Sequence, residues 1–504
     1  MWSDSHHCWG KLVLTPTSYY SRSMNLAIVG YVIGTALMIE GGLMLIPLFS
    51  ALVFGESSMP FVIPVLINLA AGYLLYRAKP ETGNLLSKEG VVSTGLVWII
   101  LSLTGMLPFI ISGAIPAPVD AFFETVSGFT TTGSSILTDV EAVPKSCLLW
   151  RSLMHWIGGM GILVFMLALM PLSGGSQMNL MKAESPGPSI SKLVPRAQDT
   201  AKILYGIYFV MTVLTIVGLI VLRMPVFDAV CIGVGAAGTG GFSVKNSGMA
   251  DYTVLQQIFT GFAMALFGLN FNFYFFWFIK KQKKEALRME EVRLYLFILL
   301  SASALISISL IAAGTYQNPF LAVHEAAFHV SSIMTSTGFA ADDLNLWPGF
   351  AKALITILMF VGACAGSTGG GLKVSRVLLL FRSFLRECSR ILHPQAVKKV
   401  HMDGKTVDET ILYSVGTYFF VYILLMVASC VLVSLDNADW ETTVTAVITT
   451  FNNIGPGFGA VGTVGNFSAF SPFTKIVLSA DMLIGRLEIF PIVLLFSRRT
   501  WRKF

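Results

Sequence analysis

Charge is scarce in this sequence. Asp, Glu, Lys and Arg make up only 12% of the 504 residues, 54% are hydrophobic, and the mean hydropathy is +0.72. A water-facing surface needs more charge than that, which excludes a soluble globular protein and indicates a polytopic membrane protein. Cysteine is sparse too. Cys8, Cys147, Cys231, Cys364, Cys388 and Cys430 are scattered without CxxC or metal spacing, excluding a disulfide framework and a zinc site. The seven histidines are dispersed, and no HExxH, GxSxG or phosphate-binding glycine loop occurs. No catalytic residue is therefore assigned, and enzyme chemistry is not expected. The net charge of +6 does not point to nucleic acid, because most Lys and Arg gather in a few connecting loops.

Glycine, by contrast, is plentiful, and four glycines mark a repeat. Ser127-Gly128-Phe129-Thr130-Thr131-Thr132-Gly133-Ser134-Ser135 follows an apolar stretch, Pro118 to Val126, too short to cross a bilayer. Similar segments are Ala236-Ala237-Gly238-Thr239-Gly240-Gly241-Phe242-Ser243, Met334-Thr335-Ser336-Thr337-Gly338-Phe339-Ala340 and Asn452-Asn453-Ile454-Gly455-Pro456-Gly457-Phe458-Gly459. Gly133, Gly241, Gly338 and Gly455 lie roughly a hundred residues apart, a loose internal repeat. Each unit reads as spanning helix, half-helix, loop, spanning helix. The first helices are expected near Val91–Ile111, Ala201–Leu222, Tyr295–Ala313 and Ile411–Leu435. The second are expected near Trp150–Leu172, Leu255–Ile279, Phe350–Phe381 and Pro472–Phe496, each long enough to span. Two further helices, Met24–Phe54 and Met59–Tyr76, stand before the repeats. The chain thus divides into an N-terminal extension (1–23), a two-helix unit (24–90) and pore repeats at 91–199, 200–291, 292–408 and 409–504.

Basic clusters lie in one set of loops: Arg77/Lys79/Lys88, Lys182/Lys192/Arg196, Lys280 to Lys284, Arg376 to Lys405, and Arg498 to Lys503. The positive-inside rule places these in the cytoplasm together with both termini, and ten spanning helices close the count. Two crossings per unit give all four repeats the same sense, which builds a ring about an axis along the membrane normal. Inverted repeats need an odd number of crossings. The expected fold is an all-α polytopic membrane protein with four helix–pore-loop–helix repeats in a pseudo-fourfold ring.

Irregular backbone at membrane depth is tolerated where it lines a wet cavity, and four converging loops can replace a cation's hydration shell with carbonyl oxygens. Close packing of small residues is the alternative for any one loop. The candidate ion ligands are Thr131, Thr132, Gly133, Gly240, Gly241, Thr337, Gly338, Ile454 and Gly455. Asp120, Asp228, Glu325 and Glu441 open the half-helices, and the first three are expected to be helix caps more than attractors of ions. The second helices align on Gly161, Gly268, Gly371 and Gly485, with repeat 3 the longest. Its excess falls in Gly362–Gly371, and Gly366, Ser367, Thr368, Gly369, Gly370 and Gly371 cannot form a comfortable helix interior. A gating loop and a glycine-packed helix interface are the two readings. Arg486 lies about 18 Å from the basic end of its helix, beyond snorkelling reach, so it is a functional candidate. Its structural alternative is an ion pair with Asp481 or Glu488. Lys373 is a second cation near the loop, with a salt bridge as its alternative.

These loops resemble the Trk/Ktr/HKT superfamily of potassium uptake proteins, from about Met24 to the C-terminus. The extra helix pair resembles its TrkH branch more than the shorter Ktr type. The resemblance implies K⁺ as the ion held in the filter, selected because all four filter positions are Gly. It also implies a gating loop at Gly366–Gly371, an Arg486 facing the cavity under the filter, and a bacterial inner-membrane location. Its implied partners are a second copy in a homodimer, a cytoplasmic ring of TrkA-type nucleotide-binding regulators, and membrane lipid. Loops 280–293 and 376–405 are the candidate docking surface. The second loop departs from the family's more usual Thr-Ala-Gly-Phe, which leaves its register open. A secondary symporter is the alternative and would use Glu124 or Glu488. A membrane-embedded transferase is disfavoured because no paired-carboxylate metal motif occurs.

Overall fold

The computed structural model describes residues 24–77, 87–161, 197–395 and 398–501. The extension at 1–23, the basic cluster Lys182/Lys192/Arg196, Lys79, and the stretch expected to carry the second helix of repeat 1 to Leu172 lie outside the described residues.

Six described helices are long and apolar enough to cross a membrane: Leu26–Phe54, Met59–Arg77, Lys88–Ser112, Asp199–Val221, Glu290–Ala312 and Glu409–Asp436. They are the N-terminal pair and the first helix of every repeat. Their outward faces stay apolar, with Phe209, Leu214, Phe297, Leu300, Phe420 and Val431 more than half exposed, as lipid-facing surfaces require. The N-terminal pair packs through Gly34 and Gly72, where a side chain on either would meet the other's backbone oxygen at 2.7 Å. Its buried Glu40 accepts hydrogen bonds from Asn68 (3.2 Å) and Thr104 (2.6 Å), tying the pair to repeat 1.

The four half-helices are Pro118–Phe129, Val226–Gly238, Pro319–Met334 and Trp440–Phe451. All four are buried over most of their length. The expected acidic caps are not caps. The N-cap positions belong to Ala117, Pro225, Asn318 and Asp439, and only Asn318 and Asp439 cap through their side chains. Pro118 starts its helix without a side-chain cap and Pro319 follows the Asn318 cap, the missing N–H of each being unneeded at the first position. Asp120, Asp228 and Glu441 sit inside the first turn, still well placed against the helix dipole, and Glu325 sits a turn further on. Asp120 instead pairs with Lys475 of repeat 4 at 2.7 Å, and Asp228 accepts from the Tyr252 hydroxyl at 2.9 Å.

Three of the second helices are broken: the break in repeat 3 falls in the glycine run where an interruption is expected, whereas those in repeats 2 and 4 depart from expectation. In repeat 2, Val254–Phe267 meets Phe271–Ile279 at a 91° bend. Repeat 3 runs as Gly349–Val361, a loop, then Val374–Leu392, and repeat 4 as Pro472–Arg486 followed by Phe490–Leu495. The described part of repeat 1 ends its helix at Gly159. Glycine accounts for the break points: Gly268, the Gly362–Gly371 run and Gly485 weaken the helix where it reaches the half-helix ends. The basic segment between repeats 3 and 4 also folds a short antiparallel ribbon, His401–Met402 against Lys405–Thr406.

Candidate functional site

The four loops share one backbone geometry. Each half-helix is closed by a bond from the residue before the glycine back five positions: Thr132 N–H to Ser127 O (2.9 Å), Gly240 to Gly235 (3.0 Å), Thr337 to Ser332 (2.8 Å) and Ile454 to Thr449 (2.9 Å). This closure needs a left-handed residue just before it. Thr131, Thr239, Ser336 and Asn453 supply it at φ of 57°, 54°, 55° and 53°. Two residues on, Gly133, Gly241, Gly338 and Gly455 also take positive φ, at 81°, 73°, 82° and 100°, where only glycine is unstrained. The repeated pair of angles settles the register of the second loop at Gly241, with Gly240 the counterpart of Thr132, Thr337 and Ile454.

The loops close on one another. A side chain on Gly133 would strike the Gly240 carbonyl oxygen, one on Gly241 that of Thr337, and one on Gly338 that of Ile454. The cycle ends with Gly455 against the Thr132 oxygen, at 2.8 Å from an added Cβ. Four carbonyls, one per repeat, thus form a ring that only glycine permits. Side chains brace it from behind: Asn453 donates to Thr132 Oγ1 (2.9 Å), and the hydroxyl pairs Thr130/Thr132 and Thr335/Thr337 each lie 2.7 Å apart. On one side the ring opens into a cavity of about 220 Å³ lined by the four glycines and the residues that follow them.

On the other side lies the glycine run of repeat 3, an irregular loop rather than a packed helix. Gly362, Gly366 and Gly371 take positive φ. Its base is fixed to repeat 2 by Cys364 N–H to Gly268 O (3.1 Å) and Phe271 N–H to Gly366 O (3.0 Å). The buried Glu291 accepts from the Ala365 amide (2.6 Å), the Ser375 amide (3.1 Å) and Asn270 Nδ2 (3.2 Å), clamping both flanks. The crest presses against the residues that precede the ring glycines. The Gly370 amide donates to Ser336 Oγ, and a side chain at Gly370 would meet Asn452 O at 2.7 Å.

Two cations hold this crest. Lys373 donates to the Gly369 carbonyl, and to that of Gly370 at 3.5 Å, rather than to a carboxylate. Arg486 donates to the Thr368 carbonyl (3.0 Å) and, through its other nitrogen, to Gly158 O and Gly159 O (2.7 Å). It therefore bridges the loop to repeat 1. The acids expected as its alternatives are engaged elsewhere: Glu488 binds Arg376 through two contacts (2.9 and 2.6 Å), and Asp481 accepts from Ser429 (2.6 Å).

The alignment of second-helix glycines needs one correction. Gly158, not Gly161, is the counterpart of Gly485, since added side chains there would strike Phe129 O and Phe451 O, the matching half-helix carbonyls. Four participants are not singled out in the sequence: Arg151, Glu291, Ser336, which stands there only as part of its loop, and His155, whose ring stacks on Phe242 and lies against Gly240. Arg151 carries the same signal as Arg486, a charge inside an apolar run. His155, Glu291 and Ser336 carry none, because their partners are distant in sequence. Arg151 binds Glu124 through Nε (2.8 Å) and a terminal nitrogen (2.7 Å), so both carboxylates required by the symporter reading have arginine partners.

Residues 57–503 match the family model described as TrkH, cation transport protein. The chain is 34% identical over 486 residues to the "Trk system potassium uptake protein TrkH" of Salmonella typhimurium, covering 95% of this chain and 100% of that one. It is 32% identical over 486 residues to the TrkG protein of Escherichia coli, covering 95% and 100%. The crystal structure of the potassium transporter TrkH from Vibrio parahaemolyticus superposes with a TM-score of 0.86 at 30% identity, over 95% of this chain and 100% of that one.

Proposed function

The chain belongs to the TrkH family of cation transport proteins, and from that premise we propose that it takes up K⁺ through a channel-like pore. The observation that carries this reading is the closed ring of Thr132, Gly240, Thr337 and Ile454 carbonyls against four positive-φ glycines. Such a ring presents oxygens to a cation stripped of water. The four half-helices aim their partly negative C-terminal ends at it, which favours a cation there further. Thr131, Thr132, Gly133, Gly240, Gly241, Thr337, Gly338, Ile454 and Gly455 form the filter.

The basic loops at Arg77/Lys88, Lys280–Lys284 and Arg376–Lys405 support a cytoplasmic position for that side and both termini, with the half-helices entering from outside and the membrane potential driving K⁺ inward. The loop Gly366–Gly371, with Lys373 and Arg486, blocks the pore on the cytoplasmic side of the filter. Opening it requires Arg486 to release Thr368. The protein works as a homodimer in lipid, and a TrkA-type nucleotide-binding ring docks on segments 280–293 and 376–405. The ranges 91–199, 200–291, 292–408 and 409–504 are the four pore units.

The test is ion flux in proteoliposomes under separate K⁺ and Na⁺ gradients, comparing wild type with Gly133→Ser. Wild type should pass K⁺ down its gradient alone, and the serine variant should lose K⁺/Na⁺ discrimination by about tenfold or more. A side chain there enters the Gly240 carbonyl and strains a left-handed position. Flux that needs a second ion's gradient and ignores the substitution would replace the channel reading with symport.

A further inference from the structure

Behind the ring, at the junction of repeats 1 and 2, lies a buried ion pair that no role assigned so far absorbs. Arg151 and Glu124 have side chains 2% and 0% exposed. Glu124 also accepts from the Ile136 amide (2.9 Å) and from Ser135 Oγ (2.9 and 3.1 Å). Arg151 donates to Ser135 Oγ (3.2 Å) and to the Ser243 carbonyl (3.3 Å), and its guanidinium carbon stands 4.0 Å from the centre of the Phe242 ring. Ser135 and Ser243 hold matching places, each two residues past its ring glycine. One pair therefore grips both strands where they leave the ring. The corresponding residues of the other repeats are held by backbone bonds, Ala340 O accepting from Met249 N–H (2.7 Å) and Gly457 N–H donating to Val461 O (2.7 Å).

We propose that Arg151 and Glu124 are positioning residues that set K⁺ over Na⁺ discrimination by fixing the spacing between the first two strands of the ring. This rests on the filter reading above. Arg151 has the tether role, since it alone of the two reaches the second strand. The guanidinium fork matters because it engages carboxylate, hydroxyl and carbonyl together, which a lysine ammonium cannot do from one position. Glu124 has a second task. It neutralises a cation lining the cavity through which K⁺ must enter, and in a low-dielectric site an unpaired charge acts strongly. The two residues should therefore fail differently.

The experiment measures unidirectional K⁺ flux and the K⁺/Na⁺ permeability ratio in proteoliposomes containing the full-length protein. Arg151→Gln should lower the ratio by about tenfold, the yield of one lost charge-assisted hydrogen bond, while K⁺ flux persists. Glu124→Gln should instead cut K⁺ flux by about tenfold or more, because an unpaired Arg151 then faces the entrance. The double variant should recover K⁺ flux relative to Glu124→Gln yet keep the low ratio of Arg151→Gln. A structural role alone would make both single variants lose flux in proportion to their loss of folded protein, with the ratio unmoved, and that result overturns the proposal. Ser135→Ala removes a contact shared by both residues without stranding a charge. If Arg151→Gln does not fold, Ser135→Ala must lower the ratio by itself, and a wild-type ratio there also overturns the proposal. Gly133→Ser run alongside separates the two levels. If it spares the ratio, the filter reading fails. If it lowers the ratio while Arg151→Gln does not, only the positioning role fails.

Discussion

Arg486→Gln is expected to raise K⁺ flux through the protein, reconstituted without any partner, by about tenfold to a hundredfold. The reason is where its bonds go. One guanidinium nitrogen holds the Thr368 carbonyl at the crest of the loop, and the other holds Gly158 and Gly159 at the end of the repeat 1 helix. If the loop is to leave the pore, the Thr368 bond must break, while the contacts to Gly158 and Gly159 need not. A hydrogen bond to a charged group contributes about 1.5–3 kcal/mol, so its loss shifts a closed–open equilibrium by about 10- to 150-fold. On the proposed pore, removing the cation also removes a fixed positive charge from below the filter, which acts in the same direction. The K⁺/Na⁺ ratio should not change, because the bonds of Arg486 to Thr368, Gly158 and Gly159 go to residues outside the ring. Flux and ratio are read from the same vesicles. Unchanged or lower K⁺ flux would make Arg486 a packing residue that merely ties repeat 4 to repeat 1.

The features legible in the sequence are those set by local backbone needs. The ring glycines are readable because a left-handed turn at the end of a half-helix admits little else, and the same need recurs at Gly133, Gly241, Gly338 and Gly455. The first helix of each repeat is readable because lipid demands a long apolar run. The interruptions are harder to read. Gly268 and Gly485 sit in runs apolar enough for a continuous span, and each breaks where the helix abuts the end of a half-helix: Gly485 faces the Phe451 carbonyl of its own repeat, and Gly268 lies 2.7 Å, by an added Cβ, from Thr335 of repeat 3. Gly158 is obscured similarly, since Gly158, Gly159 and Gly161 offer three near-equal choices and only the contact with Phe129 selects among them. The acids illustrate the opposite failure. Asp120 and Asp228 stand where caps are common, yet Pro118 and Pro225 move the helix start and free them for Lys475 and Tyr252. The contacts around the Gly362–Gly371 loop are non-local: Glu291, Ser336 and Arg486 come from three different helices or loops and meet on a segment that has almost no side chains of its own.

Gly240→Ala should abolish most K⁺ uptake, a fall of about tenfold to a hundredfold, and His155→Ala on the same chain should restore it. Gly240 takes no positive φ, so alanine carries no conformational penalty of its own there. The obstacle is one side chain: the three nearest atoms to an added Cβ all belong to the His155 imidazole, which stacks on Phe242 at 4.3 Å. Overpacking of this kind costs about 1–3 kcal/mol, or roughly 5- to 150-fold if the strand is displaced from its carbonyl position. Both imidazole nitrogens are buried without a hydrogen-bond partner, so truncating the ring orphans no polar group and leaves only the room the new methyl needs. Neighbouring glycines give the contrast. At Gly241 an added Cβ meets the Thr337 and Gly338 backbone and φ is 73°, so no second substitution can make space. His155→Ala should therefore rescue Gly240→Ala and fail to rescue Gly241→Ala, as measured by K⁺ flux per unit of folded protein. Equal rescue of both would mean that His155 limits the loop as a whole. Rescue of neither would mean that Gly240 is required by the ring itself rather than by the imidazole behind it.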